Sequence, residues 1–387
     1  MTRCPHCFHT LSDDLFAWVC RSGSCQTKPD PQASALHGTP VSTGPLIRIR
    51  RPNPSPKGWA PPERVECSAC HISRVEACPD CRFDLPRGWR AGQATCIAMA
   101  GARVTGKTVY LGVLVKQLAQ LAAELDTTLE PATIQTRLTY EKVYEKALFE
   151  ERRIAQPTPM ATVMDAPQRQ SLIYSIGVIK GVRRFLVFRD VAGEDLENDE
   201  ADQPYLSFFQ HADGVIFMFD PLRVPEVRDH LRDLVPEQLG HGGDPHAVLN
   251  KVLRLVSGGP AAIAVVLSKF DAMQALRSVS GSEWSRVMSN AGAAFLRDEQ
   301  VTDAPYNESE GQLLHLEVRS LLFRLGAGPI ATSLERPHTG QSITHRFFAV
   351  SALGEPTEGE ALHARGITPF RCLDPLRWLL WDQGVLA

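Results

Sequence analysis

Residues 101–108, GARVTGKT, fit G-x-x-x-x-G-K-[ST], a loop whose backbone N–H groups and lysine can hold phosphate oxygens. The pattern carries chemical meaning only between a strand and a helix. TCIAMA before it and VYLGVLVKQLAQLAAEL after it supply that setting. Such a loop does not separate ATP from GTP, but three further segments bear on the choice. FLVFRDVAGED ends a strand in Asp190 and Gly193, a spacing at which a carboxylate reaches a Mg²⁺ shell and a glycine amide meets a γ-phosphate. AVVLSKFD ends a strand in Lys269 and Asp271. There the lysine stem can lie along a base, and the carboxylate can accept from guanine N1–H and N2–H₂, a donor pair that adenine lacks. FFAVSAL ends a third strand in Ser351 and Ala352, where a backbone amide can meet guanine O6. Singly, each has a structural reading: Asp190 as a helix cap, Lys269 and Asp271 as a turn, Ser351 as a strand end. Together they stand in order at the carboxyl ends of expected strands, where doubly wound sheets bind ligands.

The second constellation is eight cysteines. Cys4-x2-Cys7 is followed by Cys20-x4-Cys25, and Cys67-x2-Cys70 by Cys78-x2-Cys81. Each set of four supplies thiolates on two tight turns that can face each other around one tetrahedral Zn²⁺. The expectation is two structural Cys₄ sites in sequence order, although quartets can interleave. A closed Cys₄ site leaves no open coordination position, so zinc catalysis is not expected. Disulfides are the alternative, disfavoured where thiols stay reduced. Cys96 and Cys372 lie in apolar contexts and read as core thiols.

These residues must be positioned by elements that the sequence also outlines. From Thr95 onward strands and helices alternate, which predicts an α/β fold with a doubly wound, mostly parallel sheet of about six strands. The strand candidates are 95–100, 170–176, 183–189, 214–219, 261–267 and 346–350. TIQTRLTYEKVYEKALFEERR puts Tyr140, Val143, Tyr144, Ala147 and Leu148 on one helical face. Segments 222–256 and 282–326 carry further helical patterns, and LDPLRWLLWDQGVL reads as a closing amphipathic helix. Residues 1–90 form a small zinc-ribbon module, its quartets separated by a Pro-rich stretch, 26–62, expected to be an extended, solvated linker. Residues 91–387 form the nucleotide domain with helical insertions. The 387 residues hold 41 Lys and Arg against 44 Asp and Glu, a net charge of −3 that exerts no general pull toward nucleic acid or membrane. No apolar run approaches the roughly 20 residues that span a bilayer, and MTRCPHC lacks the apolar stretch of a signal peptide. A cytoplasmic protein is expected.

The order GARVTGKT, DVAG, SKFD, SAL resembles that of TRAFAC-class GTPases. The Cys-rich start, DVAGED, ADGVIFMFDP and the Trp-rich end are similar to the bacterial double-GTPase branch with a fused zinc ribbon. The resemblance implies that amides of Ala102, Arg103, Val104, Thr105, Gly106 and Lys107, following Gly101, cradle the phosphates. It implies that Lys107 meets the β/γ-oxygens and that Thr108, with Asp190, ligates Mg²⁺. It also implies membership of multi-gene GTPase systems acting in biological conflict. Three positions depart from the Ras-like pattern. Arg103 replaces a common glycine, Glu194 stands where a water-orienting glutamine is usual, and Ser268 precedes Lys269 in place of Asn or Thr. Two roles for Arg103 follow, an arginine finger supplied in cis or a block to a partner's finger, and a charged Glu194 needs a cation such as Arg103 nearby. A switch threonine must lie between the first helix and residue 170; Thr158 is favoured over Thr162 by its Pro-flanked context.

The resulting expectation is a Mg²⁺-dependent GTP-binding protein that hydrolyses GTP slowly, with Lys107, Glu194, Arg103 and Thr158 at the reaction, and that signals to protein partners. Three alternatives stand beside it: an ATPase of similar fold, a non-hydrolysing scaffold with structural nucleotide, and a nucleic-acid binder using LIRIRRPNPSPKGWAPPER as a basic arm.

Overall fold

The structure, a computed structural model, describes residues 2–155, 160, 170–198, 203–231, 243–279, 283–298, 306–337, 340, 342–357 and 361–386. The first ninety residues build a three-stranded antiparallel sheet, with β1 (Leu15–Val19) between β4 (Leu46–Arg50) and β5 (Val75–Ala77). A second ribbon pairs β2 (Lys28–Pro29) with β3 (Ser42–Thr43), beside helix α1 (Pro31–His37).

The first part of the Pro-rich stretch, to residue 50, is therefore not an extended linker, whereas 51–62 form no helix or strand and are largely exposed. Asp30 caps α1 by accepting from the Ala33 amide at 3.0 Å, Pro31 occupies the first turn, and Gly38 closes the helix in the left-handed region at φ 73°. LIRIR, the supposed basic arm, is β4, paired with β1 from Leu46 opposite Val19 to Arg50 opposite Leu15.

The remaining chain forms a seven-stranded sheet among the described residues, one more strand than expected. Its strands are β6 (Gln93–Ala100), β7 (Glu130–Pro131), β8 (Leu172–Ile179), β9 (Val182–Asp190), β10 (Gly214–Phe219), β11 (Ala262–Leu267) and β12 (His345–Ala349). They are ordered β12-β11-β10-β6-β9-β8-β7. The extra strand is the two-residue edge β7, too short to show a period. β6, β9, β10, β11 and β12 run parallel, so their carboxyl ends share one edge of the sheet. Their runs CIAMA, FLVF, GVIFMF, AIAVVL and RFFA are almost entirely buried, as strands covered on both faces must be.

Helices α2 (Lys107–Glu124), α3 (Ile134–Thr139), α4 (Gly193–Glu197), α5 (Pro225–Leu231), α6 (Pro245–Val256), α7 (Phe270–Gln274), α8 (Glu283–Met288), α9 (Glu308–Arg324), α10 (Gly328–Glu335) and α11 (Asp374–Asp382) complete the chain. Residues Tyr140–Glu150 form a π-type rather than an α-helical turn, with Tyr140, Tyr144 and Leu148 still buried. That segment lies hard against α2, since a Cβ on Gly112 would stand 2.6 Å from the Leu148 side chain. The closing helix α11 buries Trp378, Leu379 and Leu380, and a Cβ on Gly214 of β10 would meet Leu379 at 2.9 Å.

Candidate nucleotide site and zinc module

The 101–108 loop leaves the end of β6 and turns into α2 at the carboxyl edge of the sheet. Gly101 (φ 142°) passes so close beneath β10 that a Cβ would lie 2.5 Å from the Met218 carbonyl oxygen. Val104, a β-branched residue, holds φ 62°, a strain of about 1–3 kcal/mol that persists where surroundings over-determine the backbone. Gly106 (φ 88°) is the N-cap of α2, an 18-residue helix, and supplies no side-chain cap to its first amides. That is an anion-binding arrangement. Lys107 is buried, and its Nζ donates to the carbonyls of Gly101 at 2.7 Å and Ala102 at 2.9 Å. Burial lowers the Lys107 pKa, opposed by the charges of Asp190, Glu194 and Glu197. Thr108 and Asp190 are both buried, and β9 sets Asp190 opposite Met99 of β6.

α4 seals one side of the loop. A Cβ on Gly193 would lie 2.4 Å from the Arg103 nitrogen and 2.7 Å from the Ala102 carbonyl carbon, both backbone atoms. Gly193→Ala is thus expected to push α4 away from the loop and cost about 1–3 kcal/mol by overpacking. A melting curve indistinguishable from wild type would show that the contact is looser than drawn.

Arg103 does not take Glu194 as its main partner. Its Nε reaches Glu197 Oε2 at 2.9 Å and Glu194 Oε1 only at 3.9 Å. Its backbone N–H also donates to Glu197 Oε1 at 2.8 Å, as does the Gly243 N–H at 3.1 Å. Glu194 follows Gly193 in the first turn of α4, and its greater exposure than Glu197 explains the choice: the less hydrated carboxylate holds the guanidinium better.

At the other end of the edge, the Lys269 and Asp271 elements come together with Ser351. Lys269 (φ 50°) N-caps α7, and its Nζ pairs with Asp220 Oδ2 at 2.7 Å. Asp271 accepts from the Ser351 hydroxyl at 2.5 Å, and that hydroxyl accepts from the Gly354 amide at 2.8 Å. Burial pushes the Asp271 carboxyl up, opposed by the Ser351 hydroxyl and the Lys269 charge. Ser268 turns inward to the Phe219 carbonyl at 2.9 Å. The Ser351 amide donates to the Phe370 carbonyl at 3.1 Å.

The cysteines group differently from their sequence order. Cys4, Cys7, Cys78 and Cys81 form one cluster and Cys20, Cys25, Cys67 and Cys70 the other, one nested inside the other along the chain. The reason is the antiparallel pairing of β1 with β5, in which Val19 faces Val75 and Ala17 faces Ala77. Cys20, following β1, therefore falls beside the cysteines that precede β5, and Cys78, following β5, falls beside those that precede β1. The closest sulfur pairs are 3.5 and 3.7 Å in the outer cluster and 3.6 and 3.7 Å in the inner. Thiolates at ~2.3 Å from a tetrahedral Zn²⁺ stand about 3.8 Å apart, whereas a disulfide needs about 2.05 Å. The residues fit zinc.

Three of the four Cys pairs share one backbone turn. The amides of Phe8, His71 and Arg82, each at positive φ, donate to the carbonyls of Cys4, Cys67 and Cys78 at 3.1, 2.8 and 3.0 Å. The amides of His6 and Asp80 point at the sulfurs of Cys4 and Cys78, both at 3.4 Å. Cys20-x4-Cys25 closes a longer turn, and Arg74 donates to the Cys67 sulfur at 3.7 Å. Burial pushes Cys4 up while its hydrogen bond with Cys4 pulls Cys7 down, so four such sulfurs ionise together only around a cation.

The outer cluster also docks on the sheet. Arg189, adjacent to Asp190 on β9, donates to the His6 carbonyl of the first Cys turn and lies 3.9 Å over the Phe208 ring. Phe8 meets Phe208 edge-on at 5.2 Å, and Trp89 donates to the Arg3 carbonyl while its ring lies 4.5 Å from that of Phe185. The same 204–211 turn returns to α4, where the Tyr205 hydroxyl donates to Asp195 at 3.2 Å.

Glu197, Gly243, Asp220 and Arg189 are site residues that sequence reasoning missed. Asp220 ends GVIFMFD, and the strand-end rule used for Asp190 and Asp271 would have found it. Glu197 meets the loop, and Gly243 meets Glu197, over long separations that leave no local signal. Thr158 and Thr162 lie outside the described residues. Cys96 and Cys372 are buried and belong to neither cluster. Among the described residues, no helix is long and apolar enough to cross a membrane.

The family described as Double-GTPase 2 matches residues 95–322, which span the strands and loops just described up to α9. Over 387 residues, all of both chains, the sequence is 49% identical to SaeC of Mycolicibacterium smegmatis, a protein named for a proposed role in ESX-1 scaffolding and assembly. With a GTPase-like domain matched over more than half of its length, this chain belongs to the Double-GTPase 2 family.

Proposed function

We propose that the protein binds Mg·GTP at the carboxyl edge of the sheet, hydrolyses it slowly, and acts as a nucleotide-dependent switch for protein partners, in the TRAFAC manner. The observation that carries this reading is the convergence of Asp271 and Ser351 at the β11–β12 end of the carboxyl edge that also bears the 101–108 loop. The loop amides and Lys107 receive the phosphates, and Asp271 accepts the two guanine donors. The Ala352 amide meets O6, and Lys269, tethered by Asp220, lies along the base.

The Thr108 hydroxyl and the Asp190 carboxylate, hard oxygens on two buried residues, would hold Mg²⁺. When bound, the ion neutralises charge on the β- and γ-phosphates. Glu194, half-buried at the start of α4, orients the attacking water. Arg103, paired with Glu197 at 2.9 Å, meets a γ-phosphate only once that pair opens, which keeps the basal rate low.

The name of the relative supports a role in scaffolding and assembly, with protein partners. The conflict-system role implied by the resemblance gains no support from it. The test is a calorimetric titration of the full chain with GTP, GDP and ATP in Mg²⁺. GTP and GDP are expected to bind at least a hundredfold more tightly than ATP, on the order of the discrimination that buried polar sites achieve. Equal affinities would make the protein an ATPase of similar fold.

A further inference from the structure

The Glu197 carboxylate is held as an anionic ligand of the 101–108 loop. It accepts the Arg103 amide at 2.8 Å, the Arg103 Nε at 2.9 Å and the Gly243 amide at 3.1 Å, and its charge is felt at Lys107. Two backbone amides and a guanidinium on one carboxylate is the donor set of a phosphate site. The Arg103 amide and guanidinium belong to the loop segment that meets the outermost phosphate.

We propose that Glu197 is a built-in stand-in for the terminal phosphate, competing with a nucleoside triphosphate but not with a diphosphate, so that it sets the preference of the site between the two. The inference rests on the guanine-nucleotide reading given above. A diphosphate leaves the Arg103 donors to Glu197. A triphosphate brings a second anion to the same donors, and the carboxylate must leave. Its departure also releases the Gly243 amide, which directly precedes Asp244, the N-cap of α6. α6 is otherwise tied to the same segment through Lys251, whose Nζ donates to the Asp195 carbonyl at 2.8 Å and to the Asn198 carbonyl. Phosphate occupancy at the loop is thereby converted into a change at the start of a long helix.

The test uses the full chain with Mg²⁺, GDP and the non-hydrolysable β,γ-imido analogue of GTP. Glu197→Gln and Glu197→Ala are each expected to tighten the triphosphate analogue at least about tenfold, with GDP affinity changed less than about twofold. Parallel shifts for both nucleotides, or weaker triphosphate binding, would overturn the proposal. A measurement on the unmodified chain is independent of how the variants fold: the Gly243 amide should lose protection from hydrogen exchange with the triphosphate analogue and keep it with GDP. Equal protection in the two complexes would also sink it. If the unmodified chain binds neither nucleotide, the nucleotide-site reading itself fails, and this inference with it; binding of both without discrimination by Glu197 defeats the inference alone.

Discussion

Asp271→Asn is expected to weaken GTP and GDP binding about a hundredfold or more and to raise affinity for xanthosine nucleotides. The carboxylate is the only group at its position that can accept from both guanine donors, and hydrogen bonds to charged groups contribute about 1.5–3 kcal/mol each. Its surroundings prepare it for that role. Burial raises the pKa of the carboxyl, and the Ser351 hydroxyl at 2.5 Å and the Lys269 charge work against that rise. Asn keeps an oxygen for Ser351 but turns an N–H₂ toward the base, where xanthine presents a C2 oxygen and guanine presents a second donor. Unchanged GTP affinity together with no gain for xanthosine nucleotides would remove Asp271 from the base-recognition site.

The parts of the fold that were legible in the sequence were those with unbroken patterns. CIAMA, FLVF, GVIFMF, AIAVVL and RFFA are runs only a doubly covered strand sustains, and each lies where the structure has one. The motifs at their ends followed from the same logic, since parallel strands must present their carboxyl ends together. What escaped was set by pairing over distance. Glu197 reaches the loop from 94 residues away, and no local period announces such a contact. α1 is a different case: Asp30, Pro31 and Gly38 spell a capped helix, but the proline content around them outweighed that signal. The order of the cysteines could not disclose their grouping either, because the grouping is imposed by β1 lying antiparallel to β5.

That grouping makes the last prediction sharp. Each chain should carry two zinc ions, and each single Cys→Ser substitution should lose one. The double variants decide the pairing. Cys4→Ser with Cys78→Ser damages a single nested site and should leave one zinc; Cys4→Ser with Cys20→Ser damages both and should leave none. Pairing in sequence order gives the reverse, so metal analysis of the two double variants is decisive. The sites should also differ in their cost. Cys4, Cys7, Cys78 and Cys81 are all fully or almost fully buried and continuous with the core of the nucleotide domain. Their loss frees the Phe8–Phe208 contact and the bond from Arg189 to His6, immediately beside Asp190. The inner site is partly exposed and touches neither. Structural zinc contributes ~10–16 kcal/mol in isolated fingers. Cys78→Ser is therefore expected to lower the melting temperature of the whole chain and weaken nucleotide binding. Cys67→Ser should destabilise only the N-terminal module and leave nucleotide affinity nearly intact. Equal effects from the two substitutions would mean that the outer site is no more closely joined to β9 and the Phe208 turn than the inner one.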